Sequence, residues 1–120
     1  MNLPIGVEGI WIIDAEASTV YANAAMCEIL GTEASELIGA PSFNYIFPED
    51  MEAARDLFET KQRGGANPFH FRLRRKDGSA VWVDVQGTPM HNAAGEFLGI
   101  VGTFSVSADK FWKIESRKSA

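Results

Sequence analysis

Two histidines, one cysteine and a run of four bases are the side chains in this sequence best suited to chemistry. His70 and His91 are the only candidates for a histidine general base. Ser42 precedes Phe43 and lacks the Gly-x-Ser-x-Gly context of a nucleophile elbow. No Gly-x-x-x-x-Gly-Lys loop is present to cradle phosphates, and Gly64-Gly65 reads as a helix stop. Most acids cluster at helix starts, where they match the helix dipole rather than form an acid–base pair. Cys27, the single cysteine, excludes an internal disulfide framework and a zinc site made of cysteines alone. Arg72, Arg74, Arg75 and Lys76 could bind an anionic partner, but Asp77, Asp84 and the acidic first half can neutralise them. These patterns assign no catalytic residue, no metal site and no nucleic-acid interface.

The chain has 120 residues and a mass of 13.1 kDa, the size of one domain. It is 46% apolar, enough to fill one core, and its net charge is −5. Residues 1–60 hold eleven acids and one base, Arg55, whereas residues 61–120 hold ten bases and five acids. The halves should therefore attract as they fold, and an acidic whole disfavours general nucleic-acid affinity. No apolar run reaches the ~18 residues of a membrane span. Met1-Asn2-Leu3-Pro4 lacks a basic start followed by an apolar run, so no signal peptide is read. A reducing, cytoplasmic setting is expected.

The elements that must position these groups follow from periodicity. Gly9 to Ile13 and Val20 to Ala22 read as two short strands, joined by a turn that lacks a marker glycine. Asn23 is a good N-cap for a helix from Ala24 to Leu30, and Gly31 suits its C′ position. Thr32 is expected to cap a second short helix through Leu37, stopped by Gly39 and Pro41. The clearest helix begins near Pro48 and ends at Gly64-Gly65, with Met51, Ala54, Leu57 and Phe58 on one apolar face. Lys61 and Arg63 sit at its negative end. Phe69, Phe71 and Leu73 alternate with His70, Arg72 and Arg74 in a strand with one buried face. Asp77-Gly78 turns the chain into a second alternation, Val81, Val83 and Val85 against Trp82, Asp84 and Gln86. Asn92 to Gly95 is another turn. Phe97 to Val106 is the last strand, and Gly99 and Gly102 within it mark a bulge or a close approach. Hairpins imply antiparallel pairing.

Read in order, these segments resemble a PAS domain of the sensory-box type, from about Val7 to Val106. Asp14, Tyr21 and Asn23 match the family's first hairpin and helix entry. Gly31 and Glu36-Leu37-Ile38-Gly39 match its short-helix segment, and Phe47-Pro48-Glu49-Asp50 its entry to the long helix. Phe71 to Gly78, then Trp82-Val83, Pro89, Gly95 and Gly99, match its last three strands. The resemblance implies an α+β fold: a five-stranded antiparallel sheet in order 2-1-5-4-3, with short helices and one longer helix on one face. It implies one sensor domain over residues 1–108, with residues 109–120 starting a connector helix. One departure stands out. Where members often end in Asp-Ile-Thr, this chain has Val106-Ser107-Ala108.

The resemblance further implies a signal-input module of a larger protein, such as a histidine kinase or diguanylate cyclase, with a small-molecule pocket between sheet and helices. The alternative is a ligand-free structural dimerisation domain. Pocket candidates are Asn44 and Tyr45 as the polar groups, with Ile46, Phe47, Leu57, Phe58, Phe71, Leu73, Val83 and Val85. Haem is not expected: residues 49–64 hold no histidine, and His70 lies in phase with Arg72 and Arg74, a solvent-side or interface position. A covalent flavin adduct is not expected either, because Gly39 to Asn44 holds no cysteine, and Cys27 reads as a small buried hydrophobe. No cysteine stands near residues 60–70 for a coumaroyl chromophore. Non-covalent flavin stays open, with Trp82 and Asn44 as contributors.

The tail carries Phe111, Trp112 and Ile114, large apolar groups on a short terminal helix that must pack on the sheet or on a partner. They are the interface candidates for a homodimer. Trp112→Ala is expected to weaken dimerisation in sedimentation velocity, and an unchanged profile would remove the idea.

Overall fold

Asp14 closes the first hairpin in place of a glycine. Its carboxylate accepts the N–H groups of Glu16 and Ser18, both at 2.9 Å. Buried Ala17 takes the left-handed conformation, at φ +66°. Local side-chain bonds of this kind supply a turn that the sequence lacks glycine to make. In this computed structural model, residues 8–62 and 69–107 are described. The turn joins β1 (Gly9–Asp14) to β2 (Thr19–Ala22).

Asn23 then serves two elements at once. Its side-chain oxygen accepts from Met26 N–H, capping α1 (Ala24–Leu30), and from Ile10 N–H of β1, each at 2.9 Å. Gly31 ends α1 at φ +69°, in the left-handed region expected of it. The expected cap of the next helix is corrected. Glu33, not Thr32, precedes α2 (Ala34–Leu37), without a side-chain cap, and the Thr32 hydroxyl donates instead to Glu36.

Two 3₁₀ turns follow, Ser42–Tyr45 and Pro48–Asp50. The regular part of the long helix, α3, starts only at Met51 and runs to Gln62. A tight first turn is a common way to begin a helix. On its inner face Ala54 is buried, while Met51, Leu57 and Phe58 are only half-buried, so α3 does not press closely on the sheet.

The strands β3 (Phe69–Arg74), β4 (Ala80–His91) and β5 (Phe97–Val106) complete one sheet in the order β2-β1-β5-β4-β3, every neighbouring pair antiparallel. β4 extends beyond its clear alternation and carries Pro89 opposite Ile100 before a bulge at Met90/His91. Gly99 explains itself: a Cβ there would lie 2.0 Å from the Ile13 carbonyl oxygen, at φ +149°. The main core fills the side under α1 and α2, around Met26, Leu30, Leu37 and Val83. The β3–β4 hairpin is fastened to that side, since Lys76 N–H donates to Leu30 O at 2.9 Å and its ammonium pairs with Glu36. The outer edge of β2 is covered by residues 39–42, with Gly39 N–H on Thr19 O and Thr19 N–H on Ala40 O.

Asn23→Ala should cost about 2 kcal/mol, the loss of a cap together with a stranded Ile10 N–H. Asn23→Asp, which keeps the acceptor, should lose less. Equal urea midpoints for all three proteins would contradict the double role.

Candidate functional site: a cavity between the sheet and helix α3

A row of small residues hollows the inner face of the sheet. Trp11 of β1 pairs with Gly102 of β5, and Gly102 pairs with Gly87 of β4. Two side chains are therefore missing from the middle of the floor. Because α3 stands off the sheet, the space stays open as a cavity of about 130 Å³. The floor is Trp11, Ile13, Val85, Gly87, Ile100, Gly102 and Phe104. The roof is Ala54, Leu57, Phe58 and Lys61 of α3. Phe71 and Leu73 of β3 close one side, and Ser42, Phe43 and Ile46 close the other.

Aromatic rings extend this wall. Phe43 and Phe58 meet edge to face at 6.2 Å, Phe58 and Phe97 at 5.9 Å, and the Arg55 guanidinium lies 6.0 Å from the Phe43 ring. Among the described residues the lining side chains are apolar or aromatic apart from Ser42 and Lys61. Lys61 is only 5% exposed, and burial pulls its ammonium below the ordinary lysine range. Its stem runs over the floor, with Cε 3.4 Å from where a Cβ on Gly87 would sit.

Of the ten pocket candidates read from the sequence, the structure brings Ile46, Leu57, Phe58, Phe71, Leu73 and Val85 together on this cavity. The other four lie elsewhere. Asn44 is exposed. Tyr45 is buried but packs edge to face on Trp11 at 5.9 Å, in the core. A 3₁₀ turn rotates successive side chains by about 120°, and here Ser42 and Phe43 meet the cavity while Asn44 and Tyr45 are carried away from it. Val83 is fully buried in the core and does not reach the cavity. Phe47 lies under the Arg72 guanidinium at 4.2 Å. Arg72 also pairs with Asp50 at 2.7 Å and Glu49 at 3.3 Å, binding the edge strand to the entry of α3. The interface candidates Phe111, Trp112 and Ile114 lie outside the described residues.

Several lining residues were not singled out from the sequence, notably Trp11, Ile13, Phe43, Ala54, Lys61, Gly87, Ile100 and Phe104. A signal existed for Lys61: residues 54, 57, 58 and 61 share one helical face. The basic end of a helix offered a simpler explanation for a lysine. Gly102 is marked within its own strand, but its pairing with Gly87 depends on strand register.

The group most open at the sequence level, a flavin, does not match this space. Its two proposed contributors are off the wall, since Asn44 is exposed and Trp82 stacks on His70 at 4.9 Å instead. The volume is also below the ~300–1,000 Å³ of sites for larger ligands. His70, expected at a solvent-side or interface position, has a side chain 14% exposed, with Nδ1 3.0 Å from Asp84 Oδ1. Neither it nor half-buried Cys27, whose thiol burial pushes up, reaches the cavity.

The family profile described as the PAS fold matches residues 7–106. The chain belongs to the PAS family. It is 33% identical, over 95 residues, to the C4-dicarboxylate transport sensor protein DctS of Rhodobacter capsulatus. That match covers 75% of this chain and 14% of the relative. It is 28% identical over 94 residues to the uncharacterized protein y4lL of Sinorhizobium fredii, covering 78% of this chain and 11% of that one. The chain thus spans a small part of the length of these relatives. Among solved structures, a PAS domain from Colwellia psychrerythraea superposes with a TM-score of 0.77 at 19% identity, covering 83% of this chain and 86% of that one. The Drosophila melanogaster Cycle PAS-B domain superposes at 0.74 and 19%, covering 82% and 99%. These last two likenesses show the fold, which has the strand order expected from the sequence. PAS domains are sensory modules, and the domain is not itself a catalyst. No helix among the described residues is long and apolar enough to cross a membrane.

Arg72→Met should destabilise the domain by about 1–2 kcal/mol, the sum of a partly buried ion-pair network and a cation–π contact. The loss should shrink at 1 M salt, where the ionic part is screened. Chemical denaturation at two salt concentrations checks this, and a salt-independent loss would leave only packing as the cause.

Proposed function

We propose that this PAS domain is the signal-input module of a larger signalling protein, such as a histidine kinase or diguanylate cyclase, and that it senses a small molecule in the cavity under α3. The observation that carries this reading is the cavity itself. A domain serving only as a dimerisation scaffold has no use for a hollow whose floor lacks two side chains. The similarity to a sensor protein, DctS, supports the input role.

An occupant touches α3, β3 and the central strands at once. It can bias the domain between two arrangements only by binding one better than the other. Residues 1–108 form the sensor, and residues 109–120 begin the connector to an output domain of the same polypeptide. Phe111, Trp112 and Ile114 give a homodimer its contact. The setting is cytoplasmic.

Native mass spectrometry of the freshly purified chain, with its absorption spectrum, tests the reading. Ala54→Leu places three more carbon atoms on the cavity roof. A bound small-molecule mass that disappears in this variant would support sensing. A chain without bound mass, in which Ala54→Leu raises Tm and no small apolar probe competes, would favour the scaffold.

A further inference from the structure

Five of the described residues on this cavity carry aromatic rings, and each comes from a different element: Trp11 from β1, Phe43 from the first 3₁₀ turn, Phe58 from α3, Phe71 from β3 and Phe104 from β5. Rings therefore meet the space from its floor, its roof and both sides. A glycine brings one of them in. A Cβ on Gly102 would lie 2.7 Å from Cε1 of Phe104 and 3.3 Å from its Cζ, so the missing side chain lets that ring lean across the floor, 5.6 Å from Trp11 between centroids. On the roof, Phe58 stands edge to face with both Phe43 and Phe97, which holds its plane. Lys61 adds its stem to this wall as hydrocarbon.

We propose that the occupant buries a single aromatic ring here, so that the ligand class is a compact monocyclic arene rather than an aliphatic chain. This rests on the cavity being a ligand site. The volume sets the ring count. A dry cavity of roughly 150 Å³ holds benzene, so about 130 Å³ suits one six-membered ring and not a fused pair. The wall sets the type. An aliphatic occupant gains apolar burial and dispersion from any hydrocarbon surface. An aromatic occupant gains these and also the attraction between its quadrupole and those of the rings around it, which acts at centroid separations of about 4.5–7 Å. In a space this small, one ring comes within that reach of several walls at once. Trp11, held through its indole N–H on Thr19, and Phe58, held between Phe43 and Phe97, offer edges and faces already set in place. Rings ordered before binding lose little freedom on binding.

The test uses the full 120-residue chain at pH 7, titrated with benzene and with cyclopentane, a ring of similar volume without π electrons. NMR follows the methyl groups of Ile13, Leu57 and Ile100, which line the cavity. The expected result is benzene binding about fivefold tighter than cyclopentane or better, with ring-current shifts at these methyls that cyclopentane cannot give. Phe58→Leu keeps the roof apolar but removes one ring, and should bring the two affinities closer by about twofold or more. A ratio unchanged in that variant would trace the preference to shape rather than to the ring wall, and would overturn the aromatic inference. Equal affinities, a preference for cyclopentane, or a response to xenon alone would also overturn it and leave the ligand site standing. Methyls that move for neither probe, nor for xenon, would overturn both. If Phe58→Leu fails to fold, the affinity ratio in the unaltered chain decides alone.

Discussion

The Trp11 indole is shared by the packed core and the cavity, and one hydrogen bond fixes it. Its Nε1–H donates to Thr19 Oγ1 at 2.9 Å, and both residues are buried. A tryptophan at the centre of a sheet buries a large apolar area but brings a donor that must find an acceptor. Thr19, on the neighbouring strand, is placed to supply it because Gly39 and Ala40 hold the backbone of that residue from the other side. With the ring so oriented, Tyr45 and Phe104 pack against it at 5.9 and 5.6 Å, and one wall of the cavity is set. In any other rotamer the N–H would lose its partner and the hollow would change shape.

Two kinds of fastening divide the helical layer. On the α1–α2 side the bonds are directional and close to the backbone: Asn23 joins α1 to β1, and Leu30 accepts from the β3–β4 hairpin. Full burial of Met26, Leu30 and Leu37 makes that side a solid core. On the α3 side the described fastenings are of another kind. Arg72 reaches round from the edge strand to Asp50, Glu49 and Phe47, and aromatic edges meet near Phe58. Ion pairs of this exposure are weak, and few apolar groups of α3 are fully buried. The cavity lies on this softer side, beside a helix with few fully buried apolar groups. The stiff side keeps the sheet as a fixed reference.

The sheet was legible because its evidence is local. Period-two alternation, Asp77-Gly78 and Asn92 to Gly95 define β3 to β5 as successive hairpins, and antiparallel neighbours follow. The first hairpin was legible in its strands but not in its turn, since Ala17 takes a conformation usually left to glycine. The site was legible only in its apolar half. Alternation along β3 and β4 and the spacing on α3 put Phe71, Leu73, Val85, Leu57 and Phe58 on facing surfaces. The lysine on that wall, Lys61, was not. Asn44 and Tyr45 were candidates because they are polar and close to the helical wall in sequence, but phase within a 3₁₀ turn depends on where the turn begins. Lys61 was in the right phase and the wrong chemical type for a core.

The two floor glycines look alike in sequence but answer to different constraints. A Cβ on Gly102 would meet the Phe104 ring at 2.7 Å, closer than real side chains approach, so packing around Trp11 and Phe104 itself demands glycine there. Gly87 is under no such demand. Its φ is ordinary for a strand, and a Cβ would meet Ile100 and the Lys61 stem at 3.4 Å, at the edge of normal van der Waals contact. An alanine there would fit the sheet and would occupy part of the space that the lysine stem now uses. Gly87 and Lys61 are thus one feature, split between a central strand and a helix: the first leaves room, and the second fills it with a charge. Of these two floor glycines, packing demands only Gly102. The pairing of Gly87 with Lys61 is a different matter: a polar side chain is lodged over the sheet where the glycine leaves room for its stem.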